Sequence, residues 1–104
     1  MLSIVIPTSN EEVKLPKLVQ NIKRVGIKDM EIIVSDGNSE DLTRQLAIAN
    51  GCTVTSSSER HPSFQRNNGV KIAKGEIILF LDADTSLPDN FIQNALFKFK
   101  KRNL

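Results

Sequence analysis

Hydrophobic and polar residues follow one another along the chain in two patterns. Four short apolar or β-branched runs, at residues 3–6, 31–35, 53–55 and 76–81, predict β-strands. Each run is followed by a stretch whose apolar residues recur every three or four positions, as they do on the buried face of a helix. Strands that alternate with helices are typical of βαβ units, so the sequence predicts an α/β fold with a parallel sheet.

The helix predictions rest on the residues that start and stop each segment. The first helix has Pro16 in its first turn and Gly26 just past its end, and Ser39 is the predicted N-cap of the second. The third helix is predicted over residues 64–74. The fourth follows Pro88 and carries an apolar stripe that includes Phe91, Ile92, Ala95, Leu96 and Phe99.

The strand patterns also predict the arrangement of the sheet. Pro7 is expected to close the first strand, because proline has no N–H to donate to a ladder. The fourth strand is the most apolar, which predicts a central position with both faces buried. Short right-handed connections favour the strand order 3-2-1-4. We therefore expect one Rossmann-like domain, residues 1–104, with a four-stranded, mainly parallel sheet and helices on both faces.

Composition narrows the class of protein. Hydrophobic residues make up 39% and charged residues 25% of the 104 residues, as in ordinary globular domains. The chain shows neither a long apolar run nor a secretory signal, which predicts a cytoplasmic location. The single Cys52 is predicted to be structural, and His61, in a polar loop, is predicted to be exposed to solvent.

The charge is concentrated near the end of the sequence. The net charge is +2, and Lys98, Lys100, Lys101 and Arg102 supply four of the 14 basic residues, so the rest of the chain is net negative. This distribution argues against nucleic acid as a partner. The basic segment has two interpretations, a solvated helix end that complements the helix dipole or a patch that contacts an anionic membrane surface in a longer protein.

Polar residues follow three of the predicted strands. They are residues 8–11 after the first strand, Asp36 after the second, and Asp82 with Asp84 after the fourth. Ligands of open α/β sheets bind outside the carboxyl ends of the strands, so we expect these side chains to converge on one crevice. Two carboxylates one residue apart suit Mg²⁺ or Mn²⁺, whose other ligands are waters and phosphate oxygens.

Three segments follow one another at the ends of the predicted strands: IVIPTSNE at residues 4–11, VSDGNS at 34–39 and LFLDAD at 79–84. In this order they resemble signatures of family 2 glycosyltransferases of the GT-A fold. Between them, the sequence RNNG at 66–69 resembles the family's Arg-Asn-x-Gly. The resemblance spans residues 3–91 and implies that the chain is the donor-binding part of an enzyme that transfers a sugar from a nucleoside diphosphate, of the UDP or GDP type, to an acceptor hydroxyl.

The resemblance also implies roles for individual residues. Asp84 would bind the metal with help from Asp82, and Asp36 would accept a hydrogen bond from an N–H of the base. The remaining residues implied to bind the nucleotide are Pro7, Thr8, Ser9, Asn10, Glu11, Arg66, Asp82 and Ala83. Structural alternatives stay open: an Asx-turn for Asp36, helix capping for Asn10 and Glu11, and a surface or structural ion pair for Arg66. Gly69 is predicted to mark close packing of a helix on a strand rather than a ligand contact.

The sequence departs from the family at two positions and in length. Ser9 stands where an aromatic residue is common, and Ser35 stands where a first aspartate is common. Family members continue with an acceptor-binding half, so the general base is expected beyond Leu104, and the resemblance favours inversion at a saccharide or lipid-phosphate acceptor. Self-association is a further expectation, since a second copy would cover apolar surface that the missing half leaves exposed.

Three other functions share part of this sequence pattern. A nucleotide- or metal-binding module without transferase activity stays open as the alternative. A sugar nucleotidyltransferase would need a glycine-rich, basic loop after the first strand, which residues 8–11 do not provide. A phosphoacceptor receiver domain would need an acidic pair after the first strand and a lysine after a late one, and the sequence has neither.

Overall fold

The computed structural model describes residues 1–102, with side-chain environments for residues 1–98. Strands and helices alternate along the chain, as the sequence predicts. The elements are β1 (Leu2–Thr8), α1 (Leu15–Arg24), β2 (Met30–Gly37), α2 (Thr43–Ala49), β3 (Thr53–Ser57), α3 (Pro62–Ile72), β4 (Ile77–Phe80) and α4 (Phe91–Arg102).

The four strands form one parallel sheet in the order β3-β2-β1-β4, which confirms the predicted fold class and strand order. Pairing of β1 with β2 continues to Thr8 opposite Asp36, whereas pairing of β1 with β4 stops at Val5 opposite Phe80. The prediction that Pro7 ends β1 is therefore wrong, because Pro7 lies within the strand, opposite Ser35. A proline is tolerated there because the β4 ladder has already ended before it.

Helices pack on both faces of the sheet. On one face, Ile4 and Ile6 of β1 belong to the main hydrophobic cluster together with Leu15 and Ile22 of α1. On the other face, Gly69 of α3 lies against Val5, and a Cβ added at Gly69 would come within 2.4 Å of the Val5 Cγ1 atom. Gly69 is thus a close-packing position, as predicted.

The position of β4 differs from the prediction. Among the residues that the structure describes, β4 pairs with β1 alone and forms an edge of the sheet rather than its centre. Its residues are only partly buried, and Phe80 is 45% exposed. An apolar run indicates that a strand is stable when both its faces are covered. It does not indicate whether a strand of these 104 residues pairs with each of its edges.

Two helix starts also differ from the predictions. Ser39 does not cap α2, which begins at Thr43 with Leu42 in the N-cap position, because the Ser39 hydroxyl is used in a buried contact with Asp36. Helix α3 begins at Pro62 rather than at residue 64, since His61 occupies the N-cap position and its Nδ1 accepts a hydrogen bond from the Phe64 N–H at 3.4 Å. His61 is exposed, as predicted, and serves as a helix cap.

Two other features bear on the sequence predictions. Cys52 is buried, and burial raises the pKa of its thiol to about 11, so the thiol is protonated and unreactive at neutral pH, as a structural cysteine should be.

Within residues 1–102, no helix is both long and apolar enough to span a bilayer. The side chains of Phe99, Lys100, Lys101 and Arg102 lie outside the described part, so the predictions for the end of the apolar stripe and for most of the basic segment stay predictions.

Candidate functional site

A crevice of about 330 Å³ lies at the carboxyl edge of the sheet. Its walls come from the end of β1 and the following loop, from the start of α3, and from the turn after β4. The lining residues are Pro7, Thr8, Ser9, Glu11, Pro62, Gln65, Asp82, Ala83 and Asp84. A larger cavity of about 510 Å³ lies between the end of α1 and the segment that leads into α4, away from the strand ends, and we do not consider it the functional site.

The turn after β4 presents two carboxylates to this crevice. The Leu81 N–H donates to the Val5 oxygen at 3.1 Å, and the Thr85 N–H donates to the Asp82 oxygen at 2.9 Å, so the backbone is held on both sides of the turn. Ala83 is buried, whereas Asp82 and Asp84 are exposed. Among the described side chains, no lysine, arginine or histidine forms an ion pair with either carboxylate.

Asp36 lies beneath the crevice rather than in its wall. Its side chain is fully buried, and Oδ1 accepts hydrogen bonds from Thr8 Oγ1 at 2.7 Å and from Ser39 Oγ at 2.5 Å. Oδ2 accepts from the Ser39 N–H at 2.9 Å and from Arg44 Nη1 at 3.3 Å. These four donors fill the acceptor sites of the carboxylate. In this arrangement Asp36 supports Thr8 and makes an Asx-type contact with Ser39, and its base-binding role stays a prediction.

The loop after β1 is tied to the loop after β2. Asn10, which has a φ of 55°, accepts a hydrogen bond from the Glu40 N–H at its Oδ1 (2.8 Å), and the Asn10 N–H donates to Ser39 Oγ (2.8 Å). The Glu11 N–H donates to Thr43 Oγ1 at 2.8 Å. Neither Asn10 nor Glu11 caps α1 with its side chain, so the helix-capping alternative is wrong. The Asn10 side chain braces the neighbouring loop. Glu11 lines the crevice, and no donor among the described residues binds its carboxylate.

Asp41 strengthens the same brace. Its carboxylate accepts hydrogen bonds from the Thr43 N–H at 2.9 Å and from the Glu12 N–H at 3.2 Å, and it also contacts the Thr43 hydroxyl. Burial acts to raise the pKa of Asp41, but these hydrogen bonds outweigh burial, and the pKa is lowered. The brace is therefore strongest when Asp41 is ionised.

Gln65 is a crevice residue that the sequence analysis missed. Its side chain is 97% buried, and Nε2 donates to the Thr8 oxygen at 2.8 Å and to the Ser35 oxygen at 3.0 Å. It thereby joins the carboxyl ends of β1 and β2. Its position in the sequence could have revealed it, because Gln65 lies four residues before Gly69. Residues four apart on a helix share one face, and Gly69 faces the sheet. A long polar side chain on that face has to find partners at the strand ends.

Seven of the ten predicted site residues line the crevice together. They are Pro7, Thr8, Ser9, Glu11, Asp82, Ala83 and Asp84. Asn10, Asp36 and Arg66 do not line it. Arg66 is half-buried on α3, and no ion pair of Arg66 is found among the described side chains, so its nucleotide-binding role stays a prediction.

The metal prediction can be tested against the donor set. The described residues contain no group of three or more His, Cys, Asp or Glu side chains arranged to hold a metal ion. Asp82 and Asp84 alone supply hard oxygen ligands at the crevice. This set fits Mg²⁺ or Mn²⁺, which commonly use one or two carboxylates and take their other ligands from water and phosphate. It would not fit zinc, whose sites have three or four protein ligands.

Comparison with known proteins adds independent findings. The family model described as "Glycosyl transferase family 2" matches residues 3–104. The GalNAc(5)-diNAcBac-PP-undecaprenol beta-1,3-glucosyltransferase of Campylobacter jejuni is 36% identical over 105 residues, which cover 93% of this chain and 34% of that protein. A PGL/p-HBAD biosynthesis glycosyltransferase of Mycobacterium bovis is 33% identical over 93 residues, covering 84% of this chain and 36% of that protein. The chain thus spans about a third of the length of these curated relatives.

Solved structures show the same fold. TarS of Staphylococcus aureus in complex with UDP-GlcNAc superimposes with a TM-score of 0.85 at 24% identity, over 96% of this chain and 31% of that chain. Glucosyl-3-phosphoglycerate synthase from Mycobacterium tuberculosis, in complex with Mn²⁺, UDP and glucosyl-3-phosphoglycerate, superimposes with a TM-score of 0.73 at 29% identity, over 89% of this chain and 37% of that chain.

Proposed function

The chain belongs to glycosyltransferase family 2, and from this premise we propose that it forms the donor-binding part of an enzyme that transfers a sugar from a UDP-type donor to an acceptor hydroxyl. One observation carries the proposal. Two carboxylates without a basic partner among the described side chains, Asp82 and Asp84, face a crevice whose opposite wall is the braced loop after β1. A crevice of this kind at the carboxyl ends of parallel strands suits a nucleotide.

Asp84 and Asp82 would hold Mg²⁺ or Mn²⁺ in this proposal. When bound, the ion neutralises negative charge that develops on the leaving diphosphate. Neither carboxylate has an ion-pair partner among the described side chains, so a cation that binds there would not have to displace one of them. The related synthase solved with Mn²⁺ and UDP supports both the choice of metal and the choice of base.

The loop after β1 would bind the nucleoside. Ser9 and Glu11 line the crevice and offer a hydroxyl and a carboxylate, which suit ribose hydroxyls or polar base atoms. The Glu11 N–H donates to the Thr43 hydroxyl, so the backbone that carries this carboxylate is held in place. Pro7 and Thr8 complete the wall, with the Thr8 side chain oriented by Asp36.

Transfer itself needs a general base and an acceptor site. Among the described residues, the acids that line the crevice are Glu11, Asp82 and Asp84, and each has a donor or metal role in this proposal. The base and the site for a saccharide or lipid-phosphate acceptor are accordingly proposed for the part of the protein beyond these residues. Inversion at the sugar carbon, self-association and contact with a membrane surface stay predictions.

Calorimetry with UDP tests this function. Wild-type protein should bind UDP with Mn²⁺, and affinity should fall strongly when the metal is removed with a chelator. Asp84→Asn should lose the metal-dependent part of the affinity with no loss of folding, because an exposed turn residue contributes little packing. Asp89→Asn is the matched control, since Asp89 is an exposed acid in the other cavity. Metal-independent binding, or equal losses in the two variants, would contradict the proposal.

A further inference from the structure

Helix α1 and its flanking residues concentrate positive charge on the protein surface. Residues 13–28 contain five of the 14 basic residues of the sequence and no acidic residue. All five are exposed, and they are Lys14, Lys17, Lys23, Arg24 and Lys28. The buried residues of α1 are Leu15, Leu18, Val19 and Ile22. One side of the helix is therefore used in the core, and the side that meets solvent is basic.

Three of the basic residues form a stripe along α1. Lys14, which has helical backbone angles, lies three positions before Lys17, and Lys17 lies seven before Arg24. These spacings bring side chains to the same side of a helix, over a length of about 15 Å. Among the described side chains, none of the three takes part in an ion pair. Lys23 differs from them, because its ammonium group donates to the Asn50 oxygen.

The acids nearest to the stripe cannot neutralise it as a whole. Glu12 precedes it and accepts a hydrogen bond from the Leu42 N–H at 3.1 Å, and Asp29 follows it and pairs with the Met1 ammonium group at 3.1 Å. Asp89 lines a cavity together with Arg24, so it offsets charge at the far end of α1. The positive potential is consequently strongest at Lys14 and Lys17.

An exposed apolar side chain lies beside this basic end. Val13 directly precedes Lys14 and is 83% exposed, and no large apolar side chain in the described part of the chain is more exposed. Contact with a soluble polyanion would leave such a side chain in water. A lipid surface, in contrast, attracts the lysines through its phosphate groups and removes the valine from water. The combination thus favours a membrane over RNA or an acidic protein.

We propose that Val13 and the stripe formed by Lys14, Lys17 and Arg24 dock the protein on an anionic lipid surface. The apolar side of α1 is already packed on the sheet, so the helix does not insert, and the contact is peripheral and electrostatic. The surface begins next to the crevice, because Lys14 lies three residues after Glu11, a distance of at most about 11 Å between Cα atoms.

Vesicle sedimentation tests the charged part of the proposal. Wild type should bind vesicles of phosphatidylcholine with phosphatidylglycerol, should not bind vesicles of phosphatidylcholine alone, and should be released by high salt. Lys14→Gln/Lys17→Gln should weaken binding roughly 30-fold, since each basic side chain near such a surface contributes roughly fivefold. The charge-matched control is Lys71→Gln/Lys74→Gln, at two exposed lysines in and just after α3, on the other face of the sheet. Equal losses in the two variants, or no binding by wild type, would overturn the proposal.

A second comparison separates a membrane from soluble polyanions. Val13→Ser keeps the charge and should weaken binding to the anionic vesicles roughly fivefold, because less apolar surface leaves water. Polyuridylate and polyglutamate should bind wild type more weakly than the vesicles do at the same salt concentration. Unchanged vesicle affinity in Val13→Ser, or tighter binding of either polymer, would assign the stripe to another partner and contradict the proposal.

UDP binding distinguishes this inference from the proposed function. Neither Lys14 nor Lys17 lines the crevice, so Lys14→Gln/Lys17→Gln should bind UDP with Mn²⁺ as wild type does, and circular dichroism checks that it folds. Wild type that binds anionic vesicles but not UDP would contradict the proposed function alone. Wild type that binds UDP but not the vesicles would contradict this inference alone.

Discussion

Replacement of Asp36 tests the buried network under the crevice. Asp36→Ala removes one carboxylate that accepts from Thr8, from Ser39 twice and from Arg44. The hydroxyls of Thr8 and Ser39 can rotate to other partners, and Arg44, 38% exposed, can turn to water. The Ser39 N–H cannot move and remains buried without an acceptor, at a cost of about 1–3 kcal/mol.

The total loss of stability follows from these separate contributions. With the cavity left by the carboxylate and the lost ion pair, we expect Asp36→Ala to lower the free energy of unfolding by about 3 kcal/mol. Asp36→Asn should cost about half as much, because the amide keeps one acceptor oxygen but turns an NH₂ group toward one set of donors. A domain of this size has about 5–15 kcal/mol of stability, so both variants should fold.

Urea denaturation followed by circular dichroism measures the effect. A loss of about 3 kcal/mol moves the midpoint down by about 1–3 M urea. Asp89→Ala, at an exposed acid, is the control and should leave the free energy of unfolding within about 0.5 kcal/mol of wild type. The reasoning is refuted if Asp36→Ala costs less than about 1 kcal/mol, since a saturated buried carboxylate cannot be removed so easily.

Three further predictions concern other parts of the molecule. Gly69→Ala should destabilise the protein by about 1–3 kcal/mol through a clash with Val5, and adding Val5→Ala should restore part of the lost stability. If thermal unfolding shows that the double variant is less stable than Gly69→Ala alone, the packing argument is contradicted. Because the pKa of Asp41 is lowered by folding, its stabilisation is present above about pH 4 and is lost as the pH falls further. Asp41→Asn should therefore flatten the acid side of a stability–pH curve, and an unchanged slope would exclude this role. Finally, the 104-residue chain alone should transfer no sugar from a radiolabelled UDP-sugar to saccharide or lipid-phosphate acceptors. The general base is proposed to lie beyond the described residues, and a positioned base contributes roughly 10²–10⁴-fold to the rate. Turnover at ordinary enzyme rates would show that the site is complete.

Local patterns in the sequence predicted the features that depend on a single element. The alternation of strands and helices, and the carboxylates that follow β4, can be read from neighbouring residues, and strand order follows from the rules of connection. The prediction that Ser39 caps α2 is wrong, and the role of Gln65 was missed. In both cases the hydrogen-bond partners of the side chain lie outside the helix to which the local pattern assigns the residue. A serine before a helix has the same local pattern whether it caps that helix or, as here, donates to a buried aspartate.

The position of β4 illustrates a second kind of error. Its apolar run predicts two neighbouring strands, but within the described residues only β1 pairs with it. Hydrophobicity records the environment in which a segment is stable, and that environment can be supplied by any covering surface. The neighbours of a strand therefore cannot be deduced from the strand alone.

The brace between the two loops has a consequence for the thermodynamics of ligand association. Asn10 and Glu11 are held by groups about 30 residues away in the chain, so the wall loop loses its conformational freedom during folding and not when a ligand arrives. Association then carries little entropy penalty for ordering protein backbone, and the heat capacity change should reflect the contact area alone. Asn10→Ala removes one bond of the brace, the one that Asn10 Oδ1 accepts from the Glu40 N–H. It would transfer part of the ordering to the binding step and make the measured enthalpy and entropy both larger in magnitude at a lower affinity.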